Sequence, residues 1–580
     1  MNDPSPQPGS RLPAWLALAG VLAVALAVRL PGFTWGLPDS THLFSYHPDE
    51  YHSLRGLLSL VLAGDLNPHF FNYGSLYLYL VAAAALLLHP GAALTAWAEQ
   101  IATGQAQPLL RSWTLDARLL SLAASLATVY VVYLLGLRLF AGRAAWCIPM
   151  RRDTSPAVRA LALTAAGLAA LAPLSSLTAR YGTVDSTQTL FTCLSLYFSV
   201  LLFTRPTWKT AAWAGVCAGL AASTKYNGAL VLVASLLASL LAPAPQKPPP
   251  PPEKGRRRPA RPAAEESPAP PGLASVFCRW SATIAGAVVA FLVTSPYTLL
   301  AWREATEGIL FELRHIGQGE NLAVLADPSG FLFHLRHLLA PGLGLPVLLA
   351  VAGTVWVLAQ RRREWYPLLL FAAVWFVMIA LAQVRYPRYE LPLLAPLALL
   401  AAAPLTSLVR GRRLYQGALA AGALLALFWC GQLALGLPGP RPQDRALAQL
   451  LQASSPDRAV GFVEIPWFAD PPVNFCNGGA GLSTVGLWRS YAREARPVVV
   501  TDLRSVASAG SPLPFFVTTD FGLGSLLRAN DMGASQFVLG LARQYRATEL
   551  GGVPLSLVPW SLGPDWRYPW PRLDLWQPKE

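Results

Sequence analysis

Residues 14–31 read Ala14-Trp15-Leu16-Ala17-Leu18-Ala19-Gly20-Val21-Leu22-Ala23-Val24-Ala25-Leu26-Ala27-Val28-Arg29-Leu30-Pro31. An apolar run of this kind is close to the roughly twenty residues a helix needs to cross a bilayer. Arg11 precedes it, and Ala25-Leu26-Ala27 has the small-residue pattern of a signal-peptidase site. Apolar segments continue for roughly four hundred residues beyond it, so the run reads as a retained first helix and not as a cleaved leader. Composition agrees: 54% of the 580 residues are hydrophobic and only 13% are charged, against about a quarter charged in an average soluble chain. The expected fold is an α-helical polytopic membrane protein.

Little more than a dozen residues after that run comes Ser45-Tyr46-His47-Pro48-Asp49-Glu50-Tyr51-His52. Two adjacent carboxylates sit between two histidines beside a membrane segment. Carboxylates there are costly to desolvate, which marks the pair as a candidate functional site. The competing reading is a solvated turn at a helix end.

The net charge of +14 does not point to nucleic acid, because Lys and Arg cluster in short blocks between apolar runs. Such blocks encode topology. They fall at 138–159, at Arg205 with Lys209, at 247–261, 361–363 and 410–413. Between them we expect helices near 118–139, 158–176, 186–204, 210–224, 227–242, 276–296, 338–359, 366–384, 391–409 and 414–437. With the first helix this makes about eleven crossings. The scheme puts every basic block and the N-terminus in the cytoplasm, and Asp49, Asp185, the loop 297–337 and residues 438–580 outside, as in a plasma (inner) membrane protein. A crossing at 75–98 would invert the scheme, so that apolar stretch is expected to lie in or dip into the outer interface. Protein must then cover its backbone ends. The aromatic-rich residues 70–79 just before and within it suit the membrane–water boundary.

Residues 243–272 are dominated by Pro, Lys and Arg and cannot bury a core. They are expected to form an extended cytoplasmic linker whose basic run touches anionic lipid head groups. After residue 438 short β-rich runs appear, 459–463, 497–500 and 515–518, separated by polar or helical stretches. They predict a small extracytoplasmic α/β domain over 438–580, following a transmembrane domain over 1–437. Cys193, Cys217 and Cys430 lie in apolar segments, Cys147 and Cys278 beside them, and Cys476 in the polar C-terminal region. No disulfide framework or metal-binding cysteine cluster follows from that spacing. Residues 438–580 show no phosphate loop and no His-Glu-x-x-His pattern.

Four motifs carry a resemblance: His47-Pro48-Asp49-Glu50 after the first helix, Ala117-Arg118-Leu119-Leu120-Ser121, Arg180-Tyr181-Gly182-Thr183-Val184-Asp185, and Thr224-Lys225-Tyr226-Asn227-Gly228. In this order they resemble GT-C glycosyltransferases. The chain is similar to the glycosyltransferase 39 group, which includes protein O-mannosyltransferases and bacterial enzymes that move aminoarabinose onto lipid A. The resemblance covers roughly residues 12–300, with a weaker echo in Arg385-Tyr386-Pro387-Arg388-Tyr389. It implies transfer of a sugar from a polyprenyl-phosphate carrier to a protein, lipid or glycan acceptor at the outer face of the membrane.

The chemistry such a reaction needs can be argued separately. The donor already carries a good leaving group, so the site needs a base for the acceptor hydroxyl and cations for the departing phosphate. Asp49 is the candidate base, matching the acidic position of the family's first outer loop. Glu50 and Asp185 are further candidate catalytic acids, although Asp185 also suits a helix N-terminus and Glu50 can simply face water. One base without an evident nucleophile favours a single inverting displacement. If Asp49 and Asp185 converge they can share a divalent cation; no cofactor is otherwise implied. Lys225, at a junction of two short helices, is the candidate phosphate ligand, its alternative being a lysine that snorkels to the interface. Arg385 and Arg388 are candidates for bidentate phosphate contact. His47, Arg55, Arg118, Arg180 and Tyr226 are candidate substrate-binding residues, with Arg55 and Arg118 also suited to positioning the acidic stretch. Loop 297–337 is amphipathic and suits either a lid over the site or an interfacial helix pair with no gating role. Two other classes compete: a transporter or lipid flippase with charges along a path, and an envelope-assembly scaffold with a degenerate site. Transporters often show related halves, and none are visible here.

Overall fold

The computed structural model describes residues 14–39, 45–63, 65–89, 106–141, 155–244, 271–318, 329–408, 410–453, 459–463, 468–472, 498–500, 513, 515–528, 530–553 and 557–579. The architecture is a bundle of apolar helices followed by a small sheet, the helical membrane fold with a C-terminal α/β unit that the sequence predicts. Among the described residues five helices are long and apolar enough to cross a membrane, 107–141, 273–294, 363–381, 387–406 and 412–436, and a bent pair over 330–359 makes a sixth if it is one span. Shorter apolar helices cover 15–27, 76–88, 156–171 and 226–241. The segments expected at 186–204 and 210–224 are helices too, Val184–Leu201 and Trp208–Thr224. Val184–Leu201 buries Thr187, Gln188, Thr192, Ser195 and Ser199, which makes it less apolar than a lipid-facing span.

Those small polar side chains join helices. The Ser195 hydroxyl donates to the Ala214 carbonyl at 2.9 Å, and Ser199 and Ser235 hydroxyls lie 2.7 Å apart. Gly215 and Gly219 let Trp208–Thr224 press on Leu273–Thr294: a Cβ there would stand 1.9 Å from the Thr283 carbonyl oxygen and 2.2 Å from that of Ala287. This is the close small-residue packing that holds helices together where lipid supplies no hydrophobic drive. It fixes the end of the helix that carries Lys225.

The expected interfacial segment is, where described, the helix Leu76–Leu88. At 13 residues it is shorter than the roughly twenty a crossing requires; residues 90–105 lie outside the described part, as do 245–270 of the linker. The loop 297–337 contains the helices Tyr297–Leu300, Trp302–Gln318 and Gly330–His337.

Among the described residues the sheet has five strands, β1 Val460–Phe462, β2 Val498–Val500, β3 Phe515–Thr519, β4 Tyr545–Gly551 and β5 Arg572–Pro578, in the order β2-β1-β3-β5-β4. β1 is parallel to β2 and β3, whereas β5 is antiparallel to β3 and β4. Strand alternation sorts its apolar side chains. Phe515 and Val517 join Leu450, Val460 and Leu573 on one face, and Phe516 joins Phe537, Leu541 and Trp576 on the other. The chain between β4 and β5 returns to the bundle. Trp566 packs on Trp429 with ring centroids 5.7 Å apart, and a Cβ on Gly563 would stand 2.4 Å from Pro387. The sheet unit is thereby seated against the segment that bears Arg388.

Candidate active site

Asp49 occupies the first turn of Pro48–Ala63, where Pro48 suits the opening position of a helix. The Asp49 N–H donates to His47 Nδ1 at 3.2 Å, and its carboxylate meets Arg388 Nη2 at 2.7 Å. Arg388 is the hub. Its Nη1 is 2.5 Å from Asp565 and its Nε is 3.8 Å from Asp185. Its backbone N–H also donates to Asp565, at 2.8 Å, and its guanidinium lies 3.9 Å from the centroid of the Tyr386 ring. Asp185 in turn accepts from Lys225 Nζ at 3.0 Å. Lys225 is cradled by Tyr389 and Tyr73, 4.6 and 5.4 Å from their ring centroids. Residues far apart in sequence thus form one chain of charge: Asp49, Arg388, Asp185, Lys225, with Asp565 behind.

Beside this chain lies a cavity of about 390 Å³ lined by Asp49, His52, Phe70, Tyr73, Glu312, Arg388 and Tyr389, and from the C-terminal region by Phe468, Asp470, Phe521 and Tyr568. The helix Trp302–Gln318 contributes Phe311, Glu312 and His315 to the lining. Electrostatics follows from burial and neighbours. Burial pushes the Asp49 carboxyl up, but Arg388 foremost, with His47, His52 and Lys225, more than offsets it and holds Asp49 below the usual range. For Glu312 burial prevails, reinforced by Asp49, and its carboxyl is raised despite Lys225 and His315. Burial keeps His47 lowered although Asp49 and Glu50 favour its charged form.

Several expected site residues serve elsewhere. Glu50, read beside Asp49 as a catalytic acid, is buried and engaged internally: Arg118 donates Nε and Nη2 to its two oxygens at 2.7 and 2.8 Å, Gly182 N–H donates at 2.6 Å, and the Ser45 hydroxyl also donates. Arg118 spends its remaining donor on the Phe33 and Trp35 carbonyls, at 2.7 and 2.8 Å. The Glu50–Arg118 pair ties the stretch after the first helix to the Arg118 and Gly182 motifs. Burial raises and Arg118 more than reverses the Glu50 carboxyl, which ends below its ordinary value. Arg180 is likewise taken up, donating to the carbonyls of Pro31 at 2.8 Å, Val28 at 2.5 Å and Ser176. Arg385 donates to the Ala382 carbonyl at 3.2 Å and is not among the cavity-lining residues. The Tyr226 hydroxyl donates to the Phe71 and Tyr73 carbonyls, at 3.0 and 3.1 Å, shaping the aromatic loop. His47 packs on Tyr181 and Tyr568, with ring centroids 4.2 and 4.9 Å away. The side chain of Arg55 lies outside the described residues.

A divalent cation does not fit between Asp49 and Asp185, because the Arg388 guanidinium contacts the first at 2.7 Å and approaches the second at 3.8 Å. Among the described residues no three His, Cys, Asp or Glu side chains group to hold a metal. Sequence reasoning missed Asp565, Asp470, Phe468, Phe521 and Tyr568. All lie in the C-terminal region, where no motif signals their return to the bundle.

Residues 108–248 match the family model described as dolichyl-phosphate-mannose-protein mannosyltransferase. That segment contains the Arg118, Asp185 and Lys225 motifs, so the resemblance read from the residues is met by an independent comparison. Among solved structures, apo ArnT from Cupriavidus metallidurans is 16% identical, with 97% of each chain covered at a TM-score of 0.48. The oligosaccharyltransferase of Archaeoglobus fulgidus, in complex with zinc and sulfate, is 11% identical, with 92% of this chain and 71% of that chain covered at 0.45. Arabinofuranosyltransferase AftD from Mycobacteria is 14% identical, with 98% and 40% covered at 0.41. A search of curated proteins finds no match.

Proposed function

We propose that this protein is a glycosyltransferase that moves a sugar from a polyprenyl-phosphate carrier to an acceptor hydroxyl at the outer face of the plasma membrane. The observation that carries the reading is a cavity-lining carboxylate, Asp49, joined through Arg388 and Asp185 to Lys225. Asp49 and Arg388 line the cavity and Lys225 is joined to them through Asp185, a base and two cations of the kind this reaction needs. The match of residues 108–248 to a polyprenyl-phosphate-sugar transferase family model supports the same class.

In the proposed step the acceptor oxygen attacks the anomeric carbon and its proton passes to Asp49. The bond from that carbon to the phosphate oxygen breaks, and the polyprenyl phosphate leaves with the electron pair, held by Lys225 and Arg388. Attack and departure on opposite sides invert the anomeric centre. Both cations are already paired with carboxylates, so donor binding must draw Lys225 from Asp185 and Arg388 partly from Asp49. Releasing Asp49 from Arg388 strengthens it as a base when the donor is in place. The N-terminus then lies in the cytoplasm, and residues 438–580 form an extracytoplasmic unit that completes the cavity.

Reconstituted protein given a radiolabelled lipid-linked sugar and an envelope extract should convert label to a product separable from the carrier, and envelope glycans should lose a residue when the gene is deleted. Movement of the intact lipid-linked sugar across the bilayer without cleavage would instead identify a flippase.

A further inference from the structure

The helix Trp302–Gln318 lies outside the segment that the family model matches, yet it lines the cavity with Phe311, Glu312 and His315. Glu312 and His315 are three positions apart and so share one face of the helix. Both are partly buried. The helix is braced near each end: Glu304 meets His69 Nδ1 at 2.9 Å, and the Gln383 N–H donates to the Ile316 carbonyl at 3.0 Å. Between these contacts Gly308 lets the helix press on the aromatic loop, since a Cβ there would stand 2.8 Å from the Phe71 side chain. The His315 ring runs parallel to that of Phe311, with centroids 6.1 Å apart at 3°.

Glu312 is a carboxyl on which burial acts without a matching cation. Lys225, whose charge reaches it, is held by Asp185 at 3.0 Å, and burial together with Asp49 prevails over Lys225 and His315. Such a group gains most from a ligand that donates hydrogen bonds to it. A lipid-linked sugar has three parts. Its prenyl tail has no donor, and its phosphate brings a like charge. Only the sugar ring offers hydroxyl donors, and these can also meet the His315 imidazole, which donates at one nitrogen and accepts at the other. The ring is joined directly to the phosphate, so a phosphate held at Arg388 keeps the sugar within the cavity that Arg388, Glu312 and His315 all line. A site that hydrogen-bonds a hydroxyl discriminates strongly against a sugar that lacks or misplaces it.

We infer that Glu312 and His315 read the hydroxyls of the donor sugar, and so set which sugar the protein transfers. The inference rests on the transferase reading, and its test separates the two. Full-length protein in lipid nanodiscs is titrated calorimetrically with methyl farnesyl phosphate, a diester without a sugar, and with the farnesyl phosphoryl derivatives of mannose, glucose, galactose and arabinofuranose. The readout is the ratio of sugar-diester to methyl-diester affinity, which cancels any change in phosphate or tail binding. In wild-type protein we expect one sugar diester to bind about tenfold or more tighter than the methyl diester, and that ratio to fall about tenfold in Glu312→Leu and in His315→Leu. Glu312→Gln, which keeps a hydrogen-bonding oxygen, should retain a larger ratio than Glu312→Leu. A wild-type ratio of one for all four sugars, or a ratio preserved in either leucine variant, overturns the inference. Loss of methyl-diester binding in a leucine variant to the same extent as sugar-diester binding overturns it too, because the residue then supports the whole site. Failure of wild-type protein to bind any of the five diesters overturns the transferase reading itself.

Discussion

As the proposed base, Asp49 must stay ionised in a partly buried place and still accept a proton. Arg388 answers the first need and works against the second, since a carboxylate held below its ordinary range is a weaker base. The sign of its pH dependence follows. With a depressed folded-state value, Asp49 contributes stability that is fully present above its unfolded value of about 3.9 and is lost as pH falls through the lower folded value. Arg388→Gln removes the largest charge opposing burial, so the Asp49 titration, followed by carboxyl-labelled NMR, should move upward; an unmoved titration contradicts the pairing. Lys225 faces a different test. Lys225→Met should weaken polyprenyl phosphate binding by about 10- to 100-fold, the worth of a hydrogen bond to a charged group. Calorimetric titration with farnesyl phosphate reads this directly.

At the scale of elements, the acidic stretch divides its two carboxylates by direction. A helix turns about 100° per residue, so on Pro48–Ala63 Asp49 meets the cavity while Glu50 turns inward to Arg118 and Gly182. Glu50→Gln should therefore act on folding, destabilising by roughly 3–5 kcal/mol as expected for a broken buried ion pair; a lowered midpoint in thermal unfolding of detergent-solubilised protein checks it. The sequence favours Asp49 as the base and leaves Glu50 open between a catalytic acid and a solvated side chain; the Arg118 and Gly182 contacts turn Glu50 inward. The bundle's helices were legible because apolar runs and basic blocks record a lipid environment. Lys225 and Asp185 were legible because each sits at a helix end inside a motif. The internal work of Arg180 was not, since a donor to the Pro31 and Val28 carbonyls carries the same letter as a phosphate ligand.

For the whole molecule, the site is shared between the bundle and the C-terminal region. Asp565 holds both the side chain and the backbone of Arg388, and Tyr568 reaches His47. Such a return across nearly two hundred residues leaves no periodicity or spacing to read, which is why the sequence placed the sheet and missed its role. Asp565→Asn should lower turnover about tenfold or more while leaving membrane insertion intact, because it frees Arg388 from the geometry that Asp49 requires; assay of reconstituted protein reads the loss. The central claim is that Asp49 takes the acceptor proton. Its most direct test is single-turnover transfer of a radiolabelled lipid-linked sugar by Asp49→Asn protein in nanodiscs, with farnesyl phosphate binding measured alongside. The account predicts binding preserved and transfer lowered by about 10²–10⁴-fold; transfer at the wild-type rate would contradict it.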